Sequence, residues 1–232
     1  MEKEILKYLM PSSIIDSDHK LIQEFAKEVI GENEDPIEKA VSLYLAVRDG
    51  IRYDPYSPFY LPEHYRASYV LKRGRSFCVP KASLLCALAR ASGIPARLGL
   101  ADVRNHLLTR QLLDFMGSDL FVYHGFVELF LEGKWVKATP AFNKELCEKH
   151  RVPPLEFNGR EDSLFQPYNL EKQRFMEYVA FRGTFWDVPV EEIVSGWKIA
   201  YGEERVNQWI RLFEERGSLR HSEFENEEVW KE

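Results

Sequence analysis

The stretch Arg73-Gly74-Arg75-Ser76-Phe77-Cys78-Val79-Pro80-Lys81-Ala82 runs directly into an apolar segment that ends at Ala91. A cysteine therefore stands behind a basic, glycine-containing turn, at the mouth of a helical segment. A helix N-terminus carries unpaired N–H groups and a partial positive charge, and both favour a thiolate over a thiol. Arg75 and Lys81 are expected to push the same way. Cys78 is thus a candidate nucleophile, and it needs a base held rigidly by some other element.

The segment 80–91 is expected to be the central helix. Ala82, Leu85, Cys86 and Ala89 form one apolar face, and Leu84 and Leu88 carry it nearly all the way round. A helix that is apolar on most sides is buried. Gly93 suits a C-cap, Pro95 forbids continuation, and 94–101 then reads as a buried strand. Downstream, 121–131 and 135–139 read as two strands joined by a tight turn at Glu132-Gly133-Lys134, with Gly133 where a positive φ is needed. His124 interrupts the apolar pattern of the first of these strands, where the hairpin would hold it rigidly. It is the candidate base. Between the strands, Leu107, Leu108, Leu112, Leu113 and Phe115 predict an amphipathic helix ending at Gly117, an insertion of the kind that often forms a lid.

Upstream, the first fifteen residues read as extended. Ser17 or Asp18 would cap a helix over 19–30, and Asp35 followed by Pro36 would start another over 36–49. Residues 55–69 hold Pro55, Pro58 and Pro62 with Tyr56, Phe59, Tyr60, Tyr65 and Tyr69, a structured loop that either covers the core or lines a groove. A short helix over 67–72 leads into the basic turn. Beyond 143 the expectation is a short helix over 143–151, a loop over 152–169, helices over 171–181, 190–200 and 203–215, and an acidic tail over 222–232 that frays. The chain divides into a core, 1–143, and a mainly helical extension, 144–232, packed on it.

Bulk properties narrow the function. The balance of 31 basic and 37 acidic residues gives a net charge of −6, so nothing suggests a nucleic-acid partner. No apolar run reaches bilayer length, which argues against a membrane partner. The start, Met1-Glu2-Lys3-Glu4, lacks the layout of a secretory signal, and a cytoplasmic protein is expected. Cysteines at 78, 86 and 147 are too few and scattered for a disulfide framework or a zinc site, and no loop has calcium-binding spacing. No metal or cofactor is expected. Cys86 falls in the apolar helix face as a small hydrophobe, and Cys147 has no chemical context.

The residues around Cys78, with Lys81-Ala82-Ser83-Leu84-Leu85 and Gly93-Ile94-Pro95-Ala96-Arg97, resemble the nucleophile block of the transglutaminase-like superfamily. Tyr123-His124-Gly125-Phe126-Val127-Glu128 and Trp135-Val136-Lys137-Ala138-Thr139-Pro140 resemble its histidine and third-residue blocks. Together the blocks span about residues 36–143. The resemblance implies an α+β, papain-like core, in which a central helix bearing the cysteine packs on an antiparallel sheet bearing the histidine. It also implies acyl transfer through a thioester, as in transglutaminases, peptidases and amidases.

Carried over by position, Cys78 is the nucleophile and His124 the general base. Where the family usually has Asp before the proline of the third block, this chain has Thr139. Asn143, four residues on, is the alternative, holding the imidazole as a neutral amide does in Cys-His-Asn enzymes. The family's Gly two residues before the cysteine is Ser76 here. The expected substrate is a peptide, a protein or a small amide. Hydrolysis is favoured over cross-linking, because water is always available and nothing marks an amine acceptor site. The alternative is a binding or scaffold module without turnover, for which the missing Asp speaks.

Overall fold

The chain was analysed as a computed structural model, which describes residues 2–217, 219 and 223–229. Helix α5, Cys78–Ala91, is the element about which the others are arranged, and every residue from Cys78 to Arg90 is buried. Its all-round apolar surface requires partners on every side. It finds them in α2 (Lys20–Ile30), α3 (Pro36–Gly50), α4 (Ala67–Arg73) and the strands β3 (Ala96–Asn105) and β4 (Leu120–Leu131). The helix begins two residues earlier than its apolar periodicity indicates, which places Cys78 in its first turn. At its far end the Ile94 N–H donates to the Ala89 carbonyl (2.9 Å), with Gly93 at φ +80°, the turn that Gly93 and Pro95 predict.

The sheet is antiparallel throughout, in the order β5-β4-β3-β6, where β5 is Lys134–Ala138 and β6 is Met176–Phe185. The β4–β5 turn places Glu132 at φ +47° and Gly133 at φ +81°, the paired positive dihedrals that match the twist of a two-residue hairpin. Arg97 and Glu128 face each other in register across β3 and β4 and form an ion pair of 2.6 Å. The Arg97 guanidinium also lies 4.1 Å from the centre of the Trp135 ring. These two residues from the recognisable blocks therefore fasten the sheet, far from the chemistry.

Three expectations are corrected. The first residues are not extended: Glu2–Leu6 forms helix α1, followed by a 3₁₀ turn over Lys7–Leu9. Strand needs a partner, whereas a Glu-Lys-Glu-Ile-Leu run of good helix formers needs none. The cap of α2 is neither Ser17 nor Asp18 but His19, whose Nδ1 accepts the Leu21 N–H at 3.1 Å, because the helix starts one residue later than expected.

The third correction is the largest. Residues 171–181 do not form a helix; β6 occupies 176–185 and pairs with β3 from Leu98 to Asn105. Its Tyr-Val-Ala-Phe segment has the aromatic and β-branched content of a strand, and β3 offers it an edge. Other helices of the extension appear as expected: α7 (Lys144–His150), α8 (Val190–Tyr201) and α9 (Glu203–Arg216). The inserted helix between β3 and β4 is α6, Arg110–Met116.

Of the tail expected to fray, 222 and 230–232 lie outside the described residues, while 223–229 are packed. The Glu227 carboxylate is buried and accepts hydrogen bonds from the Tyr56 hydroxyl (2.9 Å) and the Thr109 hydroxyl (2.6 Å). Arg75, on the two-residue strand β2 (Arg75–Ser76), pairs with Glu223 at 3.0 Å.

Candidate active site

Cys78 opens α5 immediately after Phe77, the N-cap residue, which has extended backbone and no capping side chain. The first N–H groups of the helix therefore have no partner in the preceding turn. Those of Cys78 and Val79, together with the Gly125 N–H from β4, favour the thiolate form of Cys78. A set of backbone donors around a sulfur is also the arrangement that would hold an oxyanion.

His124 stands on β4 opposite Ala101 of β3. Between Ala101 and Val103 the register shifts: Asp102 alone on β3 faces Val122 and Tyr123 on β4, a β-bulge, with Tyr123 at φ +58°. Bulges re-aim side chains and free backbone groups. Here the Tyr123 N–H turns to the Asp102 carboxylate (3.1 Å), and Val122 loses its place in the ladder to β3. One residue past His124, Gly125 presses on α5: a Cβ built there would lie 2.7 Å from the Val79 Cα. The missing side chain is what lets the histidine strand approach the cysteine turn.

Cys78 and His124 line one cavity and are both nearly closed off, at 7% and 4% exposure. Burial decides their charge states. It pushes the Cys78 thiol up to about 11, against the backbone donors and, as the weakest contribution, Lys81. It pushes the His124 imidazole down to about 4, with Asp102 acting in the opposite direction. Both shifts favour a thiol and a neutral imidazole, against the thiolate that the helix end and the neighbouring charges favour. Arg75 is turned away to Glu223. Lys81 is wholly buried, donates to the Arg48 carbonyl (2.9 Å) and the Ile51 carbonyl, and is itself pushed down to about 7 by burial. It ties the end of α3 to α5.

The cavity measures about 40 Å³, and among the described residues no Asp, Glu, Lys or Arg lines it. Phe59, Phe77, Phe115, Trp197, Tyr201 and Trp209 form most of its wall. The last three come from α8 and α9, and α8 also holds the bulge: the Val122 N–H donates to the Tyr201 hydroxyl (2.9 Å), and the Trp197 indole N–H donates to the Val122 carbonyl (3.2 Å). Trp197 packs on Phe59 and Phe77, and Trp209 stacks on Phe115 at 4.5 Å between ring centres. Tyr201, Trp209 and Phe213 are buried. Returning a side chain of Phe size to water costs about 1.5–3 kcal/mol. Three of them amount to a large part of the ~5–15 kcal/mol that holds a whole domain together. The helical cover is part of the core.

The two candidates for the third residue are placed differently. Asn143 accepts the Tyr53 N–H with its Oδ1 (3.1 Å) and so fastens the start of α7 to strand β1 (Arg52–Tyr53). Thr139 is buried beside the Tyr178 hydroxyl, and its Oγ1 makes no hydrogen bond of ordinary geometry among the described residues. His124 Nδ1 likewise has no partner among them. The carboxylate that acts on His124 is Asp102, held bidentate by Arg182 with contacts of 2.6–3.0 Å. The ring of His124 is met edge-on by Phe165 at 5.0 Å, from the segment before β6.

Sequence reasoning passed over Asp102, Gly125, Phe165, Trp197 and Tyr201. Asp102 did carry a signal, as a lone acid in the apolar run Leu100-Ala101-Asp102-Val103. Trp197 and Tyr201 stand one helical turn apart on the same face, but nothing in that spacing says what the face covers. His64 and His106 take no part: His64 Nδ1 accepts the Leu61 N–H, and His106 meets Glu177 at 3.3 Å. Cys86 is fully buried in α5, and Cys147 is buried away from the cavity.

A cysteine in the first turn of a buried helix, sharing a cavity with a histidine on an antiparallel sheet, defines a papain-like Cys–His architecture. The sequence pattern of the Transglutaminase-like superfamily matches residues 23–140, just over half of the chain. The chain belongs to the transglutaminase-like superfamily. Among solved structures it is similar to a "Putative Cysteine Protease" from Cytophaga hutchinsonii, with a TM-score of 0.52 and 19% identity over 82% of this chain and 50% of that one. The periplasmic domain of TgpA from Pseudomonas aeruginosa is a more distant likeness, with a TM-score of 0.43 and 18% identity over 60% and 47% of the two chains. The chain thus spans about half the length of these structures, and the first likeness concerns the fold alone. No curated protein matches the sequence.

Proposed function

We propose that the protein is a cysteine-dependent acyl-transfer enzyme that acts on amide bonds through a thioester, with hydrolysis as the usual outcome. The observation that carries this reading is the pairing of Cys78 and His124 in one cavity, with backbone donors around the sulfur. Cys78 is the nucleophile and His124 the base that takes its proton. Because both are neutral at rest, the proton moves as the sulfur attacks. Imidazole then returns it to the departing amine, and water releases the acyl group. Thr139 or Asn143 would steady the imidazole. The substrate is a peptide, protein or small amide, and the proposed setting is cytoplasmic.

Release of p-nitroaniline from a series of acyl p-nitroanilides tests the reading. Turnover by the wild type that vanishes in Cys78→Ser and falls at least about a hundredfold in His124→Ala supports it. A second reading is a binding module that keeps the fold without turnover, favoured by the narrow cavity and by an imidazole Nδ1 with no partner among the described residues. Absence of turnover and of any acyl adduct on Cys78 would leave that reading standing.

A further inference from the structure

We propose that the site takes only a short, uncharged, apolar acyl group of about two to four carbons, and that Trp197 sets this limit. The inference rests on the proposed acyl transfer at Cys78 and names its substrate class. The free space of about 40 Å³ is small against the ~300–1,000 Å³ of an ordinary ligand pocket, so the slot suits a short acyl chain and not a long one. Its wall is aromatic and aliphatic and lacks charged side chains among the described residues. A carboxylate or ammonium entering it would lose its hydration without a partner.

The backbone pair that would hold a larger donor is already occupied. The Val122 N–H and C=O, the backbone pair released by the bulge next to His124, are bonded to Tyr201 and Trp197 and not open to an extended peptide. Helix α8, which carries both side chains, packs on α9 through the rings of Tyr201 and Trp209. An acyl stub therefore enters while its leaving group stays outside. The S–C bond forms at Cys78 and the bond from the carbonyl carbon to the leaving group breaks. The thiol proton passes through His124 to the leaving group, and water later cleaves the thioester to the acid and the free thiol.

Trp197 is the limiting wall because it lies against Phe77, the residue before Cys78, with ring centres 5.7 Å apart, and against Phe59 at 4.9 Å. The test uses p-nitrophenyl acetate, butyrate, octanoate and the glutarate half-ester, with adducts on Cys78 located by peptide mass mapping and confirmed by their lability to hydroxylamine. Acetate and butyrate should acylate Cys78 at least about tenfold faster than octanoate and glutarate, the size of discrimination a confined apolar pocket gives. In Trp197→Leu octanoate should approach acetate. Phe115→Leu, at another lining position, gives a second enlargement should the first variant fail to fold.

Equal rates for short, long and charged esters in the wild type would overturn the size limit and leave the nucleophile intact. An unchanged length preference in a folded Trp197→Leu would overturn the part assigned to Trp197. No adduct on Cys78 from any ester, in any of these proteins, would overturn both this inference and the acyl-transfer reading beneath it.

Discussion

Gly125 and Val79 are in contact across the fold at a distance that leaves no room for a methyl group: a Cβ on Gly125 would sit 2.7 Å from the Val79 Cα and 3.2 Å from the Cys78 carbonyl oxygen. Both atoms it would meet are backbone, so nothing flexible can yield. Gly125→Ala must push β4 from the start of α5. The expected cost is about 1–3 kcal/mol of stability, in the range of overpacked cores. Urea denaturation measures it, and an Ala variant as stable as the wild type would show that the strand is free to shift.

Alkylation by iodoacetamide reports the charge of Cys78. With the thiol pushed up to about 11, labelling of the native protein should be slow at pH 6–8 and climb steadily towards pH 11. A plateau already reached near pH 6 would mean that a thiolate–imidazolium pair exists at rest. The burial argument would then be wrong.

His124 links stability to acid. Its imidazole is pushed from 6.5 to about 4 in the folded protein, so between those values the unfolded chain binds the proton and the folded chain does not. Stability is therefore undiminished above pH 6.5, falls as the pH drops through the window, and levels off near pH 4. At ~1.36 kcal/mol per unit the loss approaches about 3 kcal/mol. The measurement is urea unfolding at pH 7 and pH 4.5, in wild type and His124→Gln. A variant with the wild-type pH slope would assign the loss to other groups.

The ion pair of Asp102 with Arg182 tunes the same imidazole. Asp102 raises the His124 pKa, and the guanidinium neutralises much of that carboxylate. Arg182→Gln should expose the negative charge and move the His124 titration upward, while Asp102→Asn should move it downward. Histidine ring NMR shifts followed against pH distinguish the two directions. Movement in the same direction in both variants would show that the bulge had collapsed in one of them.

The Tyr201 hydroxyl accepts the Val122 N–H at 2.9 Å. Tyr201→Phe leaves that donor buried and unpartnered, at an expected cost of about 1–3 kcal/mol. Faster hydrogen exchange confined to Val122 and its neighbours would locate the effect. Exchange unchanged there would mean that water or another group takes over.

The central helix, the hairpin and the Cys–His pairing were legible because each rests on local patterns: all-round apolarity, a Glu-Gly turn, a histidine breaking an apolar run. What was missed depends on distance. Whether 171–181 is helix or strand is decided by the open edge of β3, some seventy residues earlier. The upward push on the Cys78 thiol could not be read from its neighbours, because burial, a property of the whole fold, outweighs the backbone donors of the helix end and Lys81. Thr139 and Asn143 looked equivalent in sequence. In the structure Asn143 spends its oxygen on Tyr53, and Thr139 keeps a buried hydroxyl with no hydrogen bond of ordinary geometry among the described residues.

The place of β6 has a consequence for synthesis. As the chain leaves the ribosome, α5 and the β4–β5 hairpin are complete by about residue 138, yet β3 still shows one bare edge until 176–185 have emerged. A chain stopped at 143 would expose that edge and the aromatic wall beside Cys78, and exposed edges recruit other chains. Cys78 and His124 are in place first and their enclosure last, so a nascent or truncated chain is at greatest risk of aggregation in the interval between the two.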